Sequence, residues 1–487
     1  MKSKIQTPQL KRNYAVRKIK LLLTSLLLLP AVFSHAQWQS DTRLTNDNAT
    51  SYTSYSNASN IATAGDTVHV VWSDSRDGNP EIYYKRSTDG GLTWGADTRL
   101  TNDAADSQFP AIAILDSVIH IVFDDTRSGD DEIYYMCSTD FGASWGTDTM
   151  ISENDGQYSG YPSISASAYS QVINIAWEDA RDGNLEIYCK RSLDGGFIWS
   201  QDVRLTNNNA DSENPCLSVS GYGVYVVWKD ARDGNNEIYF KHSTDGGINW
   251  TNDIRLTNNT AHSNGASVVA TATVVHVAWY DERDGNREIY YKGSTDGGTN
   301  WSTDTRLTND TAASNNPSIS MHGSVVHVAW HDERNGNKEI YYKRSIDGGM
   351  NWEADVRLTN AAGVSGRPSV SVSGSVVHVA WYDERDGNAE IYYKRNPVDG
   401  GVGIDVSFEN EDELQFFPNP FSDKINISAG SNELCELMIY DVTSKMVVHK
   451  EFTNAVTLHT SALEKGIYLF EVRSKSTIIK RGKLVKM

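Results

Sequence analysis

An arginine set among carboxylates recurs seven times in this chain, at Arg76, Arg127, Arg181, Arg232, Arg283, Arg334 and Arg385. The full pattern is Asp-x-Arg-Asp-Gly-Asn, as in Asp281-Glu282-Arg283-Asp284-Gly285-Asn286. Ser128 and Asn335 replace the second aspartate in the copies at Arg127 and Arg334. Such a turn can grip a sugar or, through acids such as Asp281 and Asp284, a cation. It can also be a Gly-Asn hairpin whose Asp and Arg pair only with each other. The spacing is not that of an EF-hand loop, so no cofactor is expected; a structural cation such as calcium is the weaker alternative.

Two other periodic sets invite a chemical reading. Asp89, Asp140, Asp194, Asp245, Asp296 and Asp347 each stand in Ser-x-Asp-x-Gly-x-x-Trp, closed by Trp94, Trp145, Trp199, Trp250, Trp301 and Trp352. A short Asp caps the N–H groups of a tight turn, glycines take positive φ, and Trp covers the turn. These acids therefore read as structural, not catalytic. His69, His120, His276, His327 and His378 share one position of the repeat, with Asn174 and Tyr225 in the remaining copies. One residue per unit lies on a ring and cannot converge on one ion, so no metal site is expected.

The elements that must hold these residues follow from the period. Trp72, Phe123, Trp177, Trp228, Trp279, Trp330 and Trp381 mark seven units, each rich in Val, Ile, Tyr and Trp with Gly, Asn and Asp between the runs. That is strand-and-turn composition. Four strands are expected per unit, A to D, in the sixth at 317–320, 325–330, 339–344 and 352–359. This is the content of a β-propeller blade. Trp38–Thr45 matches strand D, and the last unit lacks its own D. The N-terminal strand is therefore expected to complete the seventh blade beside Tyr392–Arg395, removing an open sheet edge. The fold class expected is all-β: a seven-bladed propeller with a split seventh blade, then a small Ig-like sandwich. Strand alternation puts the Arg-rich B–C turns on the face opposite the Ser-x-Asp turns.

Over about residues 37–403 the chain resembles the sialidase-like Asp-box (BNR-repeat) propellers, with six intact boxes and a split seventh formed by Asp399 and Trp38. The resemblance implies a ligand site on the B–C face, with the box turns on the far face. The resembled enzymes use three arginines, a Tyr–Glu nucleophile pair and an Asp acid/base from different blades. They usually carry a Phe/Tyr-Arg-Ile-Pro segment and six blades; this chain has no such segment and seven units. Near-copies offer few groups with distinct surroundings, as acid–base catalysis needs. The oddities are Phe123, Met150, a longer third unit and Arg367 before Pro368. The expected function is a binding module for glycans or surface proteins, with avidity around the ring. An exo-α-sialidase-type glycoside hydrolase and a structural or adhesion component are the alternatives. Singular acids, Tyr and Arg gathered on one face would favour the hydrolase. A symmetric polar face would favour binding.

Residues 1–36 read as a secretory signal peptide: seven Lys or Arg and no acid in the first twenty residues, then the apolar run Leu21–Phe33 and Ser34-His35-Ala36. Its loss takes the formal charge from −19 to about −26, which excludes general electrostatic binding of nucleic acid. No later run is apolar enough to span a membrane, and a monomer is expected. The four cysteines interrupt the repeat and show no metal spacing. After residue 403 an acidic linker, 404–414, leads to 415–487, where alternating runs suggest the sandwich. Pro418-Asn419-Pro420, Ile439-Tyr440-Asp441, Gly466-Ile467-Tyr468 and the basic end resemble the type A sorting domain of the type IX secretion system. That implies handling by the type IX machinery and passage through the periplasm to the cell surface or medium.

Overall fold

The computed structural model describes residues 38–54, 57–167 and 170–397, and in the C-terminal part 415–417, 424–428, 434–441, 445–453, 455–461, 463–474 and 477–486. The expected signal peptide and 404–414 linker, Asp399 and Pro418-Asn419-Pro420 lie outside the described residues. The chain divides into two units, Met1–Val402 and Gly403–Met487.

The first unit contains seven antiparallel sheets. The fifth is representative: A is Ser263–Thr271, B is Val274–Asp281, C is Glu288–Ser294 and D is Thr305–Arg306. Strand A of each sheet lies against strand A of the next, and the last, Ser365–Ser373, lies against Ile61–Ala64 of the first. The ring therefore closes. The seventh sheet is completed by Thr42–Arg43, in register with Tyr393 and Tyr392, as the Trp38–Thr45 match predicts. Apolar clusters fill the space between blades. One joins Ala278 and Ile289 of the fifth blade to Val326, Val328 and Trp330 of the sixth. The period marker is wholly buried in every blade.

Two departures from the expected blade have physical causes. Strand D is two residues long, not eight. In the sixth blade only Val356–Arg357 pairs, because the chain bows out and turns Asp355 inward to bond Lys343 and Arg334. The first blade also breaks its inner strand after Ser51–Tyr52 and resumes at Ile61. The intervening segment runs across the axis. Thr53 Oγ1 donates to the Arg367 carbonyl of the seventh blade (2.9 Å) and Asn60 Nδ2 to the Pro110 carbonyl of the second (2.7 Å). Cys216 Sγ of the fourth blade donates to the Asn57 carbonyl (3.6 Å), and Ala58 joins the apolar cluster of the second and third. Residues 53–54 and 57–60 thus plug the central channel.

The second unit has a three-stranded sheet, Gln415–Phe417, Lys424–Ser428 and Ala455–His459, and a four-stranded one, Met446–Thr453, Leu434–Asp441, Gly466–Ser474 and Thr477–Lys486. Ile425, Ile427 and Leu458 of the first share a core with Leu437, Ile439, Phe470 and Val472 of the second, which makes a sandwich. All four cysteines are free thiols. Among the described residues no helix is long and apolar enough to cross a membrane.

Candidate functional site

The B–C turns are built around a buried carboxylate. Asp281 is fully buried and accepts from Arg283 N (3.0 Å), Nε (2.8 Å) and Nη2 (2.6 Å), from Trp279 Nε1 (3.0 Å) and from Ser263 Oγ (2.8 Å). Burial alone would raise this carboxyl; the hydrogen bonds, led by those of Arg283, hold it below the usual carboxylate range. Arg283 Nη1 reaches Asp304 of strand D (2.7 Å), and its guanidinium lies over the Tyr290 ring at 4.4 Å. The Tyr290 hydroxyl donates to Asp284. The ion pairs to the buried and outer acids repeat at Arg76, Arg127, Arg181, Arg232, Arg334 and Arg385. Side-chain exposure of the seven runs from 11% to 28%, so each guanidinium is mostly enclosed by groups of its own blade.

The Ser-x-Asp turns join neighbouring blades. Asp296 accepts from Asn300 N (2.8 Å), Asn300 Nδ2 (2.7 Å) and Ser294 Oγ (2.9 Å), and these bonds bring its carboxyl down to about 2. A Cβ on Gly298 would fall 2.3 Å from Phe240 of the preceding blade, so that position requires glycine for close approach. The box Trp meets the same neighbour edge-on: Trp301 on Phe240, Trp94 on Tyr393, Trp145 on Tyr84, Trp199 on Tyr135 and Trp352 on Tyr291. Trp38 on Tyr342 supplies the sixth such contact, for the seventh blade, 5.0 Å between centroids. Trp250 instead bonds Gly247 O. The periodic histidines are internal: His276 Nδ1 pairs with Tyr291 Oη (2.6 Å), and His69, His120, His327 and His378 do likewise with Tyr84, Tyr135, Tyr342 and Tyr393. Among the described residues no group of three His, Cys, Asp or Glu is arranged to hold a metal ion.

Singular residues do converge, at a place the repeat hides. In six blades strand A carries a β-bulge whose third residue has positive φ: Phe109, Tyr161, Asn214, Gly265, Asn316 and Arg367, between 48° and 61°. For the five that are not glycine this conformation costs about 1 kcal/mol each. In two of these blades the bulge N–H bonds the residue that follows the marker aromatic in the preceding blade. Tyr161 N donates to Asp124, and Asn214 N to Glu178 (2.7 Å). That position reads Ser73, Asp124, Glu178, Lys229, Tyr280, His331 and Tyr382 around the ring, seven near-copies with six different side chains. Asp124 and Glu178 are each 2% exposed. Burial, then the charge of Asp131, pushes the Asp124 carboxyl well up; burial raises Glu178 to about 7 against hydrogen bonds from Asn214 and Tyr158. Tyr158 Oη donates to Glu178 at 3.2 Å.

Beside these, between the seventh, first and second blades, lies an open cleft of about 250 Å³. Tyr52 and Phe109 line it together with Gln108, Arg367, Ser73 and Thr53. Arg367 lies over Tyr382 (5.4 Å) and Tyr52 (5.7 Å), which meet edge-on at 5.1 Å. Of the oddities seen in the sequence, Arg367 comes to this cleft. Phe123 and Met150 do not: they occupy the core of the second blade, where Met150 leaves buried Glu132 without the arginine its counterparts have, and burial raises that carboxyl to about 7.

Residues 415–487 match the family described as the secretion system C-terminal sorting domain. No curated protein matches the chain. Among solved structures, polysaccharide lyase Uly1 superposes with a TM-score of 0.53 at 9% identity, over 74% of this chain and all (100%) of that one. The phage phi92 endosialidase gives 0.47 at 10% identity over 92% and 87%, and the Trypanosoma rangeli sialidase 0.42 at 10% over 79% and 85%. At these identities the likeness is one of fold. The chain joins a seven-bladed propeller, similar in fold to Uly1, to a secretion-system C-terminal sorting domain and is exported by type IX secretion to the cell surface or the extracellular space.

Proposed function

We propose that the exported propeller is a glycan-binding module whose ligand sits in the cleft at the channel mouth. The observation that carries this reading is the lining: two aromatic rings, several hydroxyls, an amide and one guanidinium, with no carboxylate. Aromatic faces cover the apolar side of a sugar ring while hydroxyl and amide groups meet its edges. Glycosidic cleavage by two carboxyl groups would need an acid and a second carboxylate across one bond. The nearby acids that stand apart, Asp124 and Glu178, are buried and held by Tyr161, Asn214 and Tyr158. The B–C turns with Arg283, Asp284 and their counterparts frame this face as its rigid rim. The hydrolase reading keeps one observation in its favour, the Tyr158–Glu178 pair.

A glycan array and a fluorogenic sialoside, both offered to the mature chain, separate the two. Expected are glycan binding that Arg367→Ala with Tyr52→Ala abolishes, and turnover at background. Sialic acid release that disappears in Glu178→Gln would establish the hydrolase instead.

A further inference from the structure

The mouth of the channel is electrically lopsided. Acids gather on the second to fourth blades, at Asp124, Asp131, Glu178 and Glu213. On the fifth to seventh the cations Arg287, Lys338 and Arg367 all act on the His331 ring, with Glu282 and Glu333 the acids beside Arg287. Arg287 stacks on Tyr280 at 5.3 Å, pairs through Nε with Glu282 at 2.9 Å and donates through Nη1 to Asn315 Oδ1 at 3.2 Å; Asn315 is the cross-strand partner of His331. The Arg287 side chain is 48% exposed, against 24% for Arg283 four residues earlier, so it can meet a ligand that the turn arginine cannot. His331 is 5% exposed, and its Nδ1 has no hydrogen-bond partner. Burial and the neighbouring cations keep the ring neutral. A buried ring nitrogen with no partner costs stability unless a ligand group or water meets it.

Resting on the glycan-binding reading above, we propose that Arg287, Lys338, Arg367 and His331 form an anion subsite continuous with the cleft. It selects an acidic polysaccharide whose sulfate or carboxylate groups lie over the fifth to seventh blades. Arg367 belongs to both places: it lines the cleft and faces His331. The Tyr280, Tyr382 and Tyr52 rings beside the cations give sugar rings a surface between charged points. The protein as a whole is strongly acidic and repels polyanions, so attraction must come from this patch. The acidic half of the mouth fixes the direction in which the chain can lie.

The test titrates the mature chain with dextran sulfate, polygalacturonate and neutral dextran at low and high salt. Expected is binding to at least one acidic polymer about tenfold tighter than to dextran, weakening as salt rises. Arg287→Ala with Lys338→Ala should reduce that binding by about tenfold, leave dextran binding and the melting temperature in place, and be largely rescued by Arg287→Lys. Preference for dextran sulfate assigns a sulfate, and preference for polygalacturonate a carboxylate. Dextran binding equal to that of both acidic polymers, or a double variant that binds them like the parent, overturns the anion subsite and leaves glycan binding standing. No binding to any polymer or array glycan overturns both.

Discussion

Asp281 shows how much one side chain does in a near-perfect repeat. Six donors from four other residues, Asn259 Nδ2 at 3.4 Å among them, converge on a carboxylate that water does not reach. Asp281→Ala leaves those donors, and a cation, without an acceptor. The expected loss is about 3–5 kcal/mol of stability, read as an earlier denaturant midpoint, with the other six blades unable to compensate. The buried histidines make a second prediction. Burial holds His69 and His378 near 3, and His120 and His276 near 4, against about 6.5 in an unfolded chain. As pH falls below 6.5 the unfolded chain takes up protons first, while the folded one waits until 3–4. Stability is therefore lost progressively through that window. Melting temperatures between pH 7 and 5 should fall less steeply in His276→Asn, the substitution the third blade already carries at Asn174; an unchanged slope would contradict the assignment.

Among the elements, the closing strand bears most. Thr42–Arg43 pairs with the seventh blade, Asp41 bonds Arg385 and Lys394, and Trp38 packs on Tyr342 of the sixth. Deleting residues 37–46 should expose the edge of Glu390–Asn396, lower the melting temperature by many degrees and cause aggregation; a variant that melts and elutes like the parent would refute the closure. This strand was legible because Trp38–Thr45 repeats the text of Trp94–Thr101. So were the blades and all six C-terminal strands the structure describes beyond Phe417. What repetition could not disclose was the plug and the cleft. They are made where the copies disagree, at the third residue of strand A, at the residue after Trp, and in 53–60 where strand A stops. Against seven aligned units those positions look like noise, yet read as a column, Ser73, Asp124, Glu178, Lys229, Tyr280, His331 and Tyr382 already show the divided mouth. Strand D was overestimated because its pattern is that of a strand; the ladder is interrupted by Asp355 turning to Lys343, a tertiary contact no local pattern reveals.

For the whole molecule, destination and architecture are separable. A chain ending near Leu414 keeps its propeller and should accumulate in the periplasm, whereas the full chain reaches the outside; cell fractionation of a type IX-competent host reads the difference, and equal amounts outside would remove the sorting role from 415–487. The architecture carries its own constraint. Six of the seven joints between blades carry the same Trp-on-aromatic contact, five of them on Tyr, so nothing in that joint counts blades, and a gene of such similar units is prone to gain or lose one by unequal recombination. The segment 53–60 does count. It leaves the first blade and is met by the fourth at Asn57 and the seventh at Thr53 across a span set by the ring's width. An eighth unit would move those walls outward beyond its reach, and a sixth would leave it no room. A chain with one unit added or removed should therefore lose the Asn57 and Thr53 contacts together and melt earlier than the parent.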